Sequence, residues 1–236
     1  MYSVGINLLL SLGLLSAASV LANPTPGNEP QDSPPFEGDI EHFEKEDATQ
    51  PPTKGGIVFV GSSSIRLWHS LKTDFPYYNT INRGFGGSQV SDSVRYANRI
   101  VTPYKPRIIV FFAGTNDIAD GKSAETVERD FEAFVGKVRA KLPSTPIVYI
   151  SISPAPSRWN KIAEIMKANG LIEKYTEREK GLIFMDVFKS MLTKDGGPRP
   201  ELFVEDKLHL NAHGYAIWRR ALGPILDRLT EDQKLH

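Results

Sequence analysis

The chain has 236 residues, 40% hydrophobic and 24% charged, with 28 lysines and arginines against 28 aspartates and glutamates. That is room for one sizeable domain and an appendage rather than two domains. The absence of cysteine excludes a disulfide scaffold, a thiolate zinc site and a cysteine nucleophile.

The first element, residues 1–22, reads as a secretory signal peptide. An apolar run is bounded by small residues, and Val20-Leu21-Ala22 offers a cleavage site after Ala22. Its n-region carries no Lys or Arg, so retention as a membrane anchor is the alternative. No other apolar stretch is long enough to span a bilayer, and stable membrane insertion after cleavage is not expected. The localisation implied is secreted or periplasmic. Residues 23–52 form a proline-rich leader with eight acids against a single base, Lys45. The neutral total therefore conceals an acidic leader and a basic body. Within the leader, Phe36, Ile40 and Phe43 fall on one helical face, which predicts a short helix over roughly 37–47 docked on the domain.

The domain, residues 53–236, alternates strand-like and helical segments. The runs "GIVFVG", "YYNTINRGF", "PRIIVFFAG", "TPIVYISIS" and "GLIFMDVF" read as strands. Helical periods lie between and after them: "SQVSDSVRYANRIV", "SAETVERDFEAFVGKVRAKL", "WNKIAEIMKANGLIEKYTEREK", with a break expected near Gly170, and "NAHGYAIWRRALGPILDRL". Such alternation specifies an α/β fold with a parallel sheet of about five strands covered on both faces. Several strands are apolar throughout, as burial of both faces requires.

Ligands of such sheets bind beyond the carboxyl ends of the strands. There the first strand offers Gly61-Ser62-Ser63-Ser64, the second "NRGFGGS" and the third "GTND". The segment after the fifth strand, "EDKLHLNAHGY", adds an acid and a histidine. A serine is a weak nucleophile until a base takes its proton. Among His42, His69, His209, His213 and His236, His209 stands out, because Asp206 precedes it by three residues at the block that comes after the fifth strand. In a tight turn that spacing lets a carboxylate fix one ring nitrogen and leave the other for a serine. A glycine N–H of "GFGGS", the Asn116 amide and the serine's own N–H are candidate oxyanion donors. Arg66, Arg83 and Trp68 lie near the first two blocks as candidate substrate contacts. No His/Asp/Glu spacing suits a metal, no glycine pattern suits a nucleotide, and no basic-aromatic stripe suits nucleic acid.

Together these blocks resemble the SGNH (GDSL-type) hydrolase superfamily: Gly61-Ser62-Ser63, Gly87, "GTND" with Asn116, and "DKLH" with Asp206 and His209. The resemblance spans roughly residues 55–228. It implies a three-layer α/β/α, flavodoxin-like fold. It also implies Ser63 as nucleophile, His209 as base and Asp206 as orienter, with an oxyanion hole of the Ser63 and Gly87 N–H groups and Asn116. Ser62 stands where the family usually has aspartate. The activity implied is a serine esterase acting without cofactor on small-molecule or glycan esters. An O-acyltransferase using the same residues, or a silent carbohydrate-binding protein of the same fold, are the alternatives.

Overall fold

The computed structural model describes residues 1–2 and 34–233. The expected signal peptide beyond its first two residues, the start of the leader and His236 lie outside the described residues. Helix α1, Glu37–Thr49, lies in the acidic leader, and five parallel strands come after it. These are β1 (Ile57–Gly61), β2 (Thr80–Gly84), β3 (Ile108–Phe112), β4 (Ile147–Ile150) and β5 (Leu182–Met185). Their order in the sheet is β2-β1-β3-β4-β5. The sheet is therefore the core of a three-layer α/β/α fold.

Strand periodicity explains the apolar runs. In β1, Val58 and Val60 enter one core and Ile57 and Phe59 the other, because successive side chains point to opposite faces. The first core lies under α1, α4 (Val90–Ile100), α6 (Ala124–Arg139) and α7 (Ile162–Arg178). The second lies under α8 (Ala212–Asp232) and two short helices, α2 (Ser63–Arg66) and α3 (Leu71–Asp74). A one-turn helix, α5 (Thr115–Ala119), comes after β3.

Helix starts obey their capping chemistry. At α4, Gln89 and Asp92 form a reciprocal capping box. At α8, the Asn211 side chain accepts the His213 and Gly214 N–H groups. The break expected near Gly170 does not occur. Ile165, Ala168 and Ile172 line one buried face on both sides of it, and that packing offsets the roughly 1 kcal/mol that a mid-helix glycine costs.

Candidate active site

Strand β1 ends on Gly61 because nothing larger fits. Its φ is +139°, and a Cβ there would lie 1.9 Å from the Phe112 carbonyl oxygen of β3. The Ser62 N–H donates to that same oxygen at 3.0 Å, and the chain then turns into α2. Ser62 occupies the N-cap position, but its side chain makes no capping bond. Ser63 is the first helical residue, so its N–H has no carbonyl behind it to bond. A glycine and a strand–helix handover thus present Ser63 at the carboxyl edge of the sheet.

The loop between β5 and α8 brings the other two residues to it. Phe203 and Leu210 form an isolated antiparallel bridge, and the Val204 N–H donates to the His209 carbonyl at 2.9 Å. Inside that turn Lys207 sits at φ +56°. Asp206 Oδ1 accepts the Leu208 and His209 N–H groups at 2.8 and 2.9 Å. Its Oδ2 lies 2.5 Å from His209 Nδ1. His209 Nε2 in turn lies 2.8 Å from Ser63 Oγ, across 146 residues of sequence. With the carboxylate ionised, Nδ1–H donates to Asp206 and Nε2 accepts the Ser63 hydroxyl proton. Partial burial raises the Asp206 carboxyl. The His209 N–H, the His209 ring and the Leu208 N–H outweigh this and hold it below the usual carboxylate range.

A glycine-rich loop, residues 84–88, lies beside this line. It is stitched to the end of β1: the Phe85 N–H donates to the Gly61 carbonyl at 3.0 Å, and the Ser88 hydroxyl to the Phe85 carbonyl at 2.9 Å. Asn116, on α5, donates one amide hydrogen to the Ser88 carbonyl at 2.9 Å, which leaves its second hydrogen unspent. Gly87 sits at φ +81°, and its N–H has no protein acceptor among the described residues. Asp117, the next residue in "GTND", does not cap its own helix. It is fully buried, accepts the Val90 N–H at the start of α4 and pairs with Lys122 at 3.0 Å. Burial raises its carboxyl, with Lys122 pulling the other way.

Ser63 and Asn116 share the wall of a cavity of about 10 Å³, with Phe112, Ala155, Leu208 and Ser153. That is the space of about one water. Gly87 is not on this wall. Ser153 is absent from the expected set, although it comes after β4 at the same edge of the sheet, where strand-end residues gather. It is only 6% exposed, and its hydroxyl meets no partner among the described residues.

Three residues near the first two blocks stand elsewhere. Arg83, expected as a substrate contact, is buried on the α1 side. It pairs with Asp47 of α1, bonds Tyr104 at 2.8 Å and stacks over the Phe43 ring at 4.9 Å. It is a structural cation, because its position one residue before the end of β2 aims it into the helix layer. Arg66 is exposed, and its guanidinium covers Gly86 rather than the cavity. Trp68 is core: it stacks on Tyr215 at 5.2 Å and donates to Asp74 at 2.7 Å. Of the remaining histidines, His42 pairs with Glu46 on the exposed face of α1 at 3.3 Å, while His69 and His213 are exposed.

Residues 58–217 match the model of the GDSL-like Lipase/Acylhydrolase family. A platelet-activating factor acetylhydrolase IB subunit beta homolog of Drosophila melanogaster is 28% identical over 138 residues. That match covers 58% of this chain and 59% of the fly protein's length. Among solved structures, a GDSL-like lipase from Bacteroides thetaiotaomicron superposes with a TM-score of 0.69. It is 19% identical, over 80% of this chain and 98% of that one. A carbohydrate esterase family 3 protein from Talaromyces cellulolyticus gives 0.61 at 21% identity, over 75% and 98%. Likenesses this distant in sequence speak to the fold.

Proposed function

The chain belongs to the GDSL-like lipase/acylhydrolase family, and on that premise we propose that it is an exported serine esterase that removes short acyl groups through an acyl-enzyme on Ser63. The observation that carries this reading is the unbroken line Asp206–His209–Ser63, with contacts of 2.5 and 2.8 Å.

That line dictates the chemistry. Ser63 Oγ attacks the ester carbonyl as its proton passes to His209 Nε2. Asp206 holds the ring in the tautomer whose Nε2 is free and stabilises the imidazolium that forms. The developing oxyanion is met by the Ser63 N–H, the Gly87 N–H and the spare hydrogen of Asn116. Collapse of the tetrahedral intermediate breaks the bond to the alkoxide, which leaves with the proton from His209. Water, deprotonated by the same nitrogen, then attacks the acyl-Ser63 ester and returns the free serine and a carboxylic acid. None of these steps uses a metal or cofactor.

The narrow cavity beside Ser63 supports a short acyl group over a long chain. The carbohydrate esterase and the acetylhydrolase homolog among the similar proteins support acetyl esters, on a glycan or another small alcohol, as the substrates to try first. Among the described residues no helix is long and apolar enough to cross a membrane, and export would release the chain after Ala22.

The test is turnover of a short-chain chromogenic ester, with a fluorophosphonate label mapped by mass spectrometry. Hydrolysis together with a label on Ser63 is expected. A label on Ser62 or Ser64, or turnover that persists in Ser63→Ala, would overturn the assignment. N-terminal sequencing of the exported chain is expected to begin at Asn23.

A further inference from the structure

The glycine-rich loop has little with which to hold itself. Between Gly84 and Ser88 its one large side chain is Phe85, which is fully buried. A loop of glycines carries high conformational freedom, yet an oxyanion donor must be fixed before the reaction begins. The bonds to Gly61 and Asn116 fix this loop from the sheet side. The start of α1 fixes it from outside.

The chain enters α1 through Pro34-Pro35-Phe36. Phe36 sits at φ +67°, the left-handed region, which an aromatic residue adopts only when its surroundings impose it. Two contacts impose it here. The Tyr96 hydroxyl donates to the Pro35 carbonyl at 2.6 Å. The Phe36 ring meets the Phe85 ring edge-on at 5.4 Å, and Phe85 meets Tyr96 in the same way at 6.2 Å. The ring also borders Gly87 itself: a Cβ on that glycine would lie 4.0 Å from Cε1 of Phe36. Farther along, α1 is secured by charges: Arg99 pairs with Glu37 and Glu44, and Asp47 with Arg83 and Tyr104. Those pairs hold the helix; Arg83 adjoins the loop, but its side chain bonds Asp47, Tyr104 and the Asn82 carbonyl rather than residues 84–88.

The geometry points to Phe36 as a positioning residue for catalysis: through Phe85 and against Gly87, its ring holds the loop so that the Gly87 N–H stays aimed at the developing oxyanion. The inference rests on the esterase reading for its catalytic effect and on the packing alone for its effect on the loop. Ground-state binding of the ester does not depend on that N–H, so the effect falls on kcat rather than KM.

Three variants test it. Phe36→Gly removes the ring while accepting φ +67° without strain, so the entry to α1 survives. Phe36→Ala removes the ring and keeps the strain. Phe36→Tyr keeps the ring. Turnover is referred to the number of Ser63 residues labelled to completion by fluorophosphonate, which discounts misfolded chains. Phe36→Gly is expected to lower kcat per labelled serine by about tenfold or more, since a displacement of about 1 Å in a catalytic group can cost 10²-fold. KM should stay within about twofold, the acid limb of the pH–rate profile should not move, and Phe36→Tyr should restore wild-type turnover. Hydrogen–deuterium exchange gives a readout that needs no substrate. Exchange across residues 84–89 should accelerate in Phe36→Gly and Phe36→Ala while β3 is unchanged. Unchanged kcat per labelled serine and unchanged exchange, with only a lower Tm, would overturn the inference. If the wild type neither turns over esters nor labels, the esterase reading fails, and exchange at 84–89 decides the positioning role on its own.

Discussion

At the scale of single residues, the three serines after Gly61 differ in what the backbone gives them. Ser62 is spent on the turn, with its N–H on Phe112. Ser64 is buried, and its carbonyl accepts the Tyr215 hydroxyl at 2.9 Å. Only Ser63 faces His209. Ser62→Ala should therefore leave most activity, while Ser63→Ala should leave none, with unchanged circular dichroism in both. Asp206→Asn should cut kcat by up to about 10⁴, as a lost orienting charge does elsewhere. Steady-state kinetics of both proteins checks this. The depressed Asp206 carboxyl adds stability that is present above the unfolded-state value of about 3.9 and lost as pH falls through the native one. Wild type should thus lose Tm between neutral pH and pH 3 more steeply than Asp206→Asn. The line Asp206–His209–Ser63 is legible in the sequence because Ser63 ends the first predicted strand and Asp206 and His209 stand three residues apart just before the last predicted helix. Ser153 is not, because a lone serine after "YISI" has no spacing that marks it.

At the scale of elements, all five strands and the helices α4, α6, α7 and α8 are legible, because their periods are sustained over several turns or both faces of a sheet. The short helices α2, α3 and α5 are not, since four or five residues carry no period. They are set by the turn that the chain makes on leaving a strand. The helix at 37–49 is visible from Phe36, Ile40 and Phe43, but its charge clamp is not, for Arg83 and Asp47 lie 36 residues apart. Assigning Arg83 to substrate rests on nearness in sequence to "GFGGS" and ignores the face of the strand. Its buried setting makes a clear prediction. Arg83→Ala leaves Asp47 beside Tyr104, whose hydroxyl burial and the Asp47 bond already push up to about 12. The loss should be about 2 kcal/mol in urea unfolding, less than the cost of stranding a fully buried charge because Asp47 keeps 22% of its side chain exposed, with KM unchanged. A large rise in KM with unchanged stability would return Arg83 to the substrate.

For the whole molecule, the two cores share each strand between them, so neither can dissolve alone. In a Trp159→Phe background, tryptophan fluorescence reports the layer of Trp68 and Trp218, and far-ultraviolet circular dichroism reports all helices. The two should give coincident urea transitions; a separate early loss of helicity would show the α1–α4–α6–α7 layer melting first. The site also has an order in time. Ser63 opens the helix directly after the first strand of the sheet, and His209 lies in the turn before the last helix, 146 residues later. A ribosome makes the proposed nucleophile long before it makes the proposed base. The growing chain therefore carries an ordinary, unreactive serine. On the proposed mechanism, hydrolytic power arrives only with completion of the fold, in whichever compartment that completion takes place.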